Sequence, residues 1–309
     1  MKNDERQQKR IIILGNGFDL DLGLSTQYQN FLNSKYFQDL GKETNLFYWL
    51  LSKHEFQTWT DIEEELKLFA IDQSHRKSHF TIDLQKHFNS LTNALCKYLN
   101  SFDYKNLKRD SMAYALIECI ANTDCYNIYN YNYTDLKKIY KELGFRELNN
   151  YIHVHGKAID NSIILGFEDD VDIDTDYNFM IKTFSPHYHS CHIQRNLKEA
   201  KVVIFFGHSL SCTDYRYFAD FFNKQSSLNI ENGNSKRIII ITYNENSRRQ
   251  ILQQLWDMNN RRTGLLFDQN EFSIFCTSKK QDRDKLLELF TYLRNAYEYE
   301  QERYQESSD

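Results

Sequence analysis

Short runs of apolar, mostly β-branched residues recur along the chain and constrain its fold more than any other feature. The clearest are RIIIL at Arg10–Leu14, KVVIFF at 201–206 and RIIIIT at Arg237–Thr242. Strands that are apolar almost throughout are typical of a parallel sheet that is buried on both faces. Weaker runs lie at 127–131, 151–154, 162–165 and 272–275, and helical patterns lie at 214–223, 244–259 and 281–297. This alternation predicts a Rossmann-like, doubly wound α/β fold with a mainly parallel sheet.

One long interval interrupts the alternation. From residue 27 to residue 122 the pattern is helical, with predicted helices at 28–39, 45–53, 61–72, 79–101 and 110–121. A crossover between neighbouring parallel strands needs only one helix. We therefore expect a single α/β nucleotide-binding domain spanning residues 1–309, with a helical subdomain inserted at 27–122, after the first strand. Within it, Thr60-Asp61-Ile62-Glu63 is typical of a helix capping box.

Charge and cysteine usage exclude several classes of protein. The net charge of −5 argues against a protein that coats nucleic acid, which would carry a basic excess. Six cysteines are scattered without a C-x-x-C pair, as expected for reduced thiols. The charged N-terminal segment does not resemble a signal peptide, and no apolar stretch is long enough to span a membrane. These features predict a cytoplasmic protein with no membrane association.

Four polar segments follow predicted strands, and the first is a glycine turn. Gly15-Asn16-Gly17 comes directly after the first strand, where glycines allow a sharp turn and a close approach to a phosphate. The full G-x-G-x-x-G pattern is absent because Leu20 holds the last position. The segment therefore fits either a plain tight turn or a phosphate-binding turn. Asp19 either caps the next helix or faces the ligand.

The second and third segments follow the next two predicted strands. Asn132 and Thr134 lie where a ligand binds in an open α/β sheet, or one of them caps the following helix. In the third segment, alternation places His153 and His155 on one face of a strand. Such a pair can bind a metal, one histidine can act as a general base, or both can be structural. Gly156 after them indicates a close approach of backbone or ligand.

The fourth segment, Gly207-His208-Ser209, follows the most apolar predicted strand, and Asp214 comes shortly after it. A hydrolase nucleophile elbow is disfavoured because Ser211 stands where G-x-S-x-G requires glycine.

Two candidate metal sites are also incomplete. The acidic run at 168–176 lacks the glycine and the final glutamate of a calcium loop. A zinc site would lack a second ligand pair at the usual spacing beside its candidates His187, His189, Cys191 and His192. No metal is expected.

Taken in order, these segments resemble the AbiH family of bacterial phage abortive-infection proteins. The matching pieces run from residue 12 to residue 218 and are IILGNGFDLDLGLSTQYQNF, WTDIEEEL, YNYTDL, YIHVHG and FFGHSLSCTDYRYF. That family in turn resembles the sirtuin-like NAD-binding fold, in which an asparagine and a histidine of corresponding segments carry the chemistry. The resemblance therefore implies catalytic roles for Asn132 and His155. It implies cofactor-binding roles for Gly15, Asn16, Gly17, Asp19, Thr134, Gly207, His208, Ser209 and Asp214.

This sequence departs from the sirtuin-like pattern at three points. Thr134 replaces an aspartate, and Asp19 stands where a small residue is usual. The zinc-binding cysteine pairs of deacylating sirtuins are missing, which argues against protein deacylation.

The resemblance implies an anti-phage effector that binds NAD or a related nucleotide and hydrolyses its nicotinamide–ribose bond. One alternative is a non-catalytic nucleotide sensor or interaction module. The other is a metal-dependent nuclease or hydrolase that uses His153, His155 and His208. The expected partners are a nucleotide ligand, a phage-derived trigger and a second copy of the chain, whereas nucleic acid is disfavoured.

Overall fold

A computed structural model describes residues 9–40, 45–52, 59–76, 81–121, 123, 126–211, 214–228 and 234–306. Within them six strands form one sheet in which every pairing is parallel. The strands are β1 (Arg10–Leu14), β2 (Tyr126–Asn130), β3 (Tyr151–His153), β4 (Val202–Phe206), β5 (Arg237–Thr242) and β6 (Glu271–Cys276). Their spatial order is β3-β2-β1-β4-β5-β6. This is the order of a doubly wound sheet, in which the direction of winding reverses between β1 and β4.

The register of the central strands determines where their loops meet. Leu14 at the end of β1 pairs with Asn130 of β2 and with Phe206 of β4. The three strands therefore end level, and the loops that follow them emerge side by side. In an open parallel sheet a ligand binds at the carboxyl ends of the strands, at the point of reversal.

Helices flank the sheet and fill the long connection between β1 and β2. That connection contains α1 (Asn16–Asp21), α2 (Tyr28–Leu32), α3 (Lys35–Gln38), α4 (Asn45–Ser52), α5 (Trp59–His75), α6 (Thr81–Asn100) and α7 (Met112–Ile120). After β2 come α8 (Leu136–Glu142), α9 (Ile193–Glu199), α10 (Tyr215–Gln225), α11 (Glu245–Met258), α12 (Thr263–Gln269) and α13 (Lys280–Glu306). Short 3₁₀ turns lie at Tyr104–Asn106, Thr175–Met180 and Lys182–Phe184.

Alternate residues of β1 supply two separate cores. Ile12 and Leu14 pack with α7, α8 and α13 on one face of the sheet. Ile11 and Ile13 pack with α9, α10, α11 and α12 on the other face. Complete burial of one such side chain contributes about 1.5–3 kcal/mol. Burial on both faces explains why β1 is apolar along its whole length.

A third core lies in the long connection. Apolar residues of α2 to α6 pack against one another and against a segment between residues 158 and 181. α7 instead packs with the sheet and forms the crossover from β1 to β2. The segment 27–122, predicted to be one inserted helical subdomain, thus has two parts. Helices α2 to α6 form a core of their own, and α7 belongs to the core of the sheet.

The sequence predictions agree with most of these elements, with two errors. The run at 162–165 is not a strand; Ile163 and Leu165 are apolar because they are buried in the helical core. The predicted helix at 28–39 is two short helices, and the Ser34 hydroxyl bonds the Phe31 carbonyl at the break. In the part of the chain that the structure describes, no helix combines the length and apolar character needed to cross a membrane.

Candidate functional site

The loops after β1 and β4 touch each other through their backbones. The amide of Gly15 donates to the Phe206 carbonyl at 2.9 Å, and the amide of Gly17 donates to the Gly207 carbonyl at 2.9 Å. Gly207 has a φ of +64°, and a Cβ placed there would lie 2.2 Å from the Phe18 nitrogen. Glycine is required because no side chain fits between the two loops. Phosphate binding by the Gly15 and Gly17 amides would require both of these hydrogen bonds to break.

A buried carboxylate links α1 to the loop after β2. Asp19 accepts hydrogen bonds from the Asn132 side-chain amide at 2.9 Å and from the Thr134 hydroxyl at 2.7 Å. No ion pair among the described residues includes Asp19. Burial raises the pKa of Asp19 to about 7, and the bonds from Thr134 and Asn132 offset only part of that rise.

These contacts exclude the capping alternatives for three of the predicted residues. Asp19 lies inside α1, which begins at Asn16, so it does not cap that helix. Asp135 caps α8 by accepting a bond from the Lys137 amide. The interpretation of Asn132 or Thr134 as the cap of α8 was therefore wrong. Their side chains point to Asp19 instead.

Asn132 is anchored so that its side-chain oxygen stays available. Its amide nitrogen donates to the Gly15 carbonyl at 3.1 Å as well as to Asp19, which uses both of its hydrogens. Its backbone amide donates to the Asn130 side chain at 3.0 Å. None of the hydrogen bonds of the described residues engages Asn132 Oδ1. This oxygen is a preorganised acceptor beside the loops after β1 and β2.

His153 and His155 lie in different networks. β3 ends at His153, so strand alternation does not extend to His155. His153 Nε2 lies 2.9 Å from the Tyr151 hydroxyl, and Nδ1 lies 3.3 Å from the Asn132 carbonyl. The prediction that the two histidines share one face of a strand was wrong. His153 supports the loop after β2.

Asp214 joins His155 to His208. One carboxylate oxygen lies 3.3 Å from His155 Nε2, and the other lies 3.3 Å from His208 Nε2. His208 Nδ1 accepts a bond from the Leu210 amide at 3.0 Å, which leaves Nε2 to face Asp214. The Tyr131 ring packs against both imidazoles, with centroids 5.1 Å and 4.6 Å away. All three polar side chains are buried.

Burial and one lysine set the protonation of this pair. Burial, followed by the positive charge of Lys182, lowers the pKa of His155 to about 4, although Asp214 acts in the opposite direction. His155 is therefore neutral at physiological pH. Burial opposes ionisation of Asp214, but Lys182 and His155 together hold its pKa well below the usual range. The site thus holds a neutral imidazole against an ionised carboxylate.

Sequence reasoning missed four charged residues of the site. Lys182 Nζ lies 3.0 Å from Glu63, 3.7 Å from Glu168 and 3.8 Å from Asp214. Glu168 also pairs with Arg216 at 2.7 Å, at the solvent-exposed side of the group. Glu63 falls in the WTDIEEEL piece of the resemblance, where only a capping box was predicted. That prediction was wrong, since α5 already begins at Trp59. Lys182 has no signal in the sequence.

Asn16 and Ser209 are predicted residues that take no part in the ion pairs described above. Asn16 accepts a bond from the Thr26 hydroxyl at 2.5 Å, while its side-chain nitrogen is buried without a hydrogen-bond partner. Ser209 is exposed in the turn after β4. Neither of them contacts the carboxylates of the site. Their ligand-binding roles stay predictions.

The geometry does not assemble the proposed histidine metal site. Across the described ranges, no group of three or more His, Cys, Asp or Glu side chains is arranged to hold a metal ion. His155 and His208 share Asp214, but His153 belongs to the network of Tyr151. The metal-dependent alternative gains no support from these positions.

A family model for bacteriophage abortive infection AbiH matches residues 11–232. The matched region contains β2 to β4, all of β1 except Arg10, and every residue of the candidate site. The chain belongs to the AbiH family. This membership implies a function in phage abortive infection. No curated protein matches the sequence. The resemblance of this AbiH-family protein to sirtuin-like proteins stays a prediction.

Proposed function

We propose that this AbiH-family protein hydrolyses the nicotinamide–ribose bond of NAD during abortive infection. One observation carries the proposal. Asn132, His155 and Asp214 are all buried, and they lie in the segments that follow the parallel strands β2, β3 and β4, at the end of the sheet where the strand order reverses. Nucleotides bind at this position in doubly wound folds.

The protonation states fit the needs of the reaction. In hydrolysis the C1′–N bond breaks with its electron pair moving to the nicotinamide nitrogen, a water oxygen bonds to C1′, and the water gives up a proton. His155 is neutral and can accept that proton. Asp214, 3.3 Å from His155 Nε2, stabilises the imidazolium that results.

Asn132 and Asn16 supply polar atoms for the substrate. Asn132 Oδ1 accepts a hydrogen bond from a ribose hydroxyl or from the attacking water, and its anchored amide keeps it in position. The unpartnered side-chain nitrogen of Asn16 is a donor for an acceptor-rich ligand beside the turn after β1. A buried donor without a partner is costly, which favours a ligand group that satisfies it.

The test is nicotinamide release from NAD by the purified protein, with and without lysate of phage-infected cells. Asn132→Ala and His155→Asn should abolish release while thermal denaturation shows a folded protein. His75→Ala, which removes an exposed histidine at the end of α5, is the matched control and should retain activity. NAD binding measured by calorimetry without release would refute hydrolysis and favour a nucleotide sensor. Full activity of a folded Asn132→Ala or His155→Asn protein would refute the assignment of residues.

A further inference from the structure

Lys182 is the buried cation at the centre of the site. Its side chain is 1% exposed, and its ammonium group faces three carboxylates and one imidazole. Those partners are Glu63, Glu168, Asp214 and, at 3.5 Å, His155 Nε2. The backbone bridge between Phe167 and Ile181 sets Lys182 beside Glu168. Burying an ammonium group is costly, and carboxylates this close to it offset that cost.

The strongest contact of Lys182 reaches outside the loops of the sheet. Glu63 accepts its hydrogen bond at 3.0 Å, and Glu63 belongs to α5 in the long helical connection. The neighbouring Ile62 and Leu66 are buried in the helical core, which fixes Glu63 in place. The Tyr133 hydroxyl, on the loop after β2, donates to the same carboxylate at 3.4 Å. α5 therefore contributes a side chain to the site.

Three carboxylates this close together repel one another unless a cation lies between them. Lys182 supplies that charge, and Asp214 stays ionised opposite His155. We propose that Lys182 is a positioning residue of the site and that the helical connection completes the site by supplying Glu63. This inference rests on the function proposed above. It assigns a role to helices that otherwise lie outside the sheet.

Histidine NMR tests the role of Lys182 without relying on turnover. The groups that face His155 are Asp214, Lys182 and His208. In Lys182→Met, loss of the positive charge should raise the pKa of His155 by about one pH unit. Lys236→Met removes a buried lysine that bonds the Lys198 and Ala200 carbonyls, and it should leave His155 unchanged. His155→Asn identifies the resonance.

The result separates the inference from the proposed reaction. An unchanged His155 titration in folded Lys182→Met would overturn the positioning role, whatever the protein does to NAD. A raised pKa in a protein that never releases nicotinamide would support the positioning role and contradict only the reaction. If Lys182→Met does not fold, the double variant Lys182→Met and Glu63→Gln takes its place, because it removes one positive and one negative charge together. The pKa of His155 is then measured in the double variant, with the same rise expected and the same unchanged value overturning the positioning role.

Phage protection tests the contribution of α5. Glu63→Gln nearly preserves the shape of the side chain but removes its ionisable group, whose pKa is raised by burial to about 7 despite the nearby charge of Lys182. It should slow nicotinamide release by roughly tenfold, the effect of losing about 1.4 kcal/mol at the transition state, and protection should fall as a result. Glu64→Gln, one residue along the same helix, is the control and should protect like the native chain. Native protection by a folded Glu63→Gln protein would overturn the role of Glu63.

Discussion

Asp19→Asn should make the protein more stable at alkaline pH while impairing its function. Asp19 is 2% exposed and takes its hydrogen bonds from an amide and a hydroxyl rather than from a cation. An asparagine can keep both bonds, because its oxygen accepts from Asn132 and its nitrogen donates to the Thr134 hydroxyl. The substitution therefore removes a buried charge with little change in shape.

The size of the effect follows from the pKa of Asp19. Burial raises it from 3.8 to about 7 in the folded protein. The folded state therefore holds the proton to a higher pH than the unfolded chain does. Well below pH 4 both states are protonated and Asp19 has no cost. The cost grows between pH 4 and pH 7 and is complete above pH 7. At about 1.36 kcal/mol per pH unit, a rise of about 3 units corresponds to roughly 4 kcal/mol.

Urea denaturation at pH 4 and pH 8 measures this difference. Asp19→Asn and the native protein should unfold with similar free energies at pH 4. At pH 8 the variant should be more stable by a few kcal/mol, up to the roughly 4 kcal/mol set by the pKa shift. Asp39→Asn, at an exposed position, should show no such dependence. Glu63 and Glu168 also titrate, but they do so in both proteins and cancel in the comparison. Equal stabilities at pH 8 would refute the buried, unpaired state of Asp19.

Two further substitutions test the backbone and the support of the loops. Gly207→Ala should destabilise the fold by about 3 kcal/mol or more, because it adds a clash with Phe18 to a left-handed backbone. Gly144→Ala has the same backbone strain in open space and should cost only about 1 kcal/mol in a denaturation series; similar losses for the two would contradict the close approach. Tyr151→Phe removes the hydroxyl that bonds Asn130 and His153 and should cost about 1–3 kcal/mol. An unchanged melting temperature would show that this network adds nothing.

The central strands β1, β4 and β5 were predictable because they are buried on both faces of the sheet. A continuous apolar run such as RIIIIT at Arg237–Thr242 is typical of a strand in a parallel sheet with both faces covered. The same rule failed at 162–165, where Ile163 and Leu165 are buried by helices rather than by a sheet. An apolar run reports burial, and burial does not distinguish a strand from an irregular segment in a second core.

The candidate site was predictable only where it follows the strands. Asn132, His155 and His208 come two residues after the ends of β2, β3 and β4, respectively, so the parallel fold places all three at the same end of the sheet. Glu63 and Lys182 come from a helix of the long connection and from a 3₁₀ turn. Their contact depends on how α5 packs against the segment that contains this turn, and the spacing of residues in the sequence does not predict that packing. The charged residues that set the protonation of the site could therefore be identified only from the structure.

The most direct test of the central claim is the NAD content of bacteria during phage infection. Cells carrying the native protein should lose most of their NAD after infection, and cells carrying Asn132→Ala or His155→Asn should keep it and lose protection. Protection with an unchanged NAD content would contradict the assignment of this site to NAD hydrolysis.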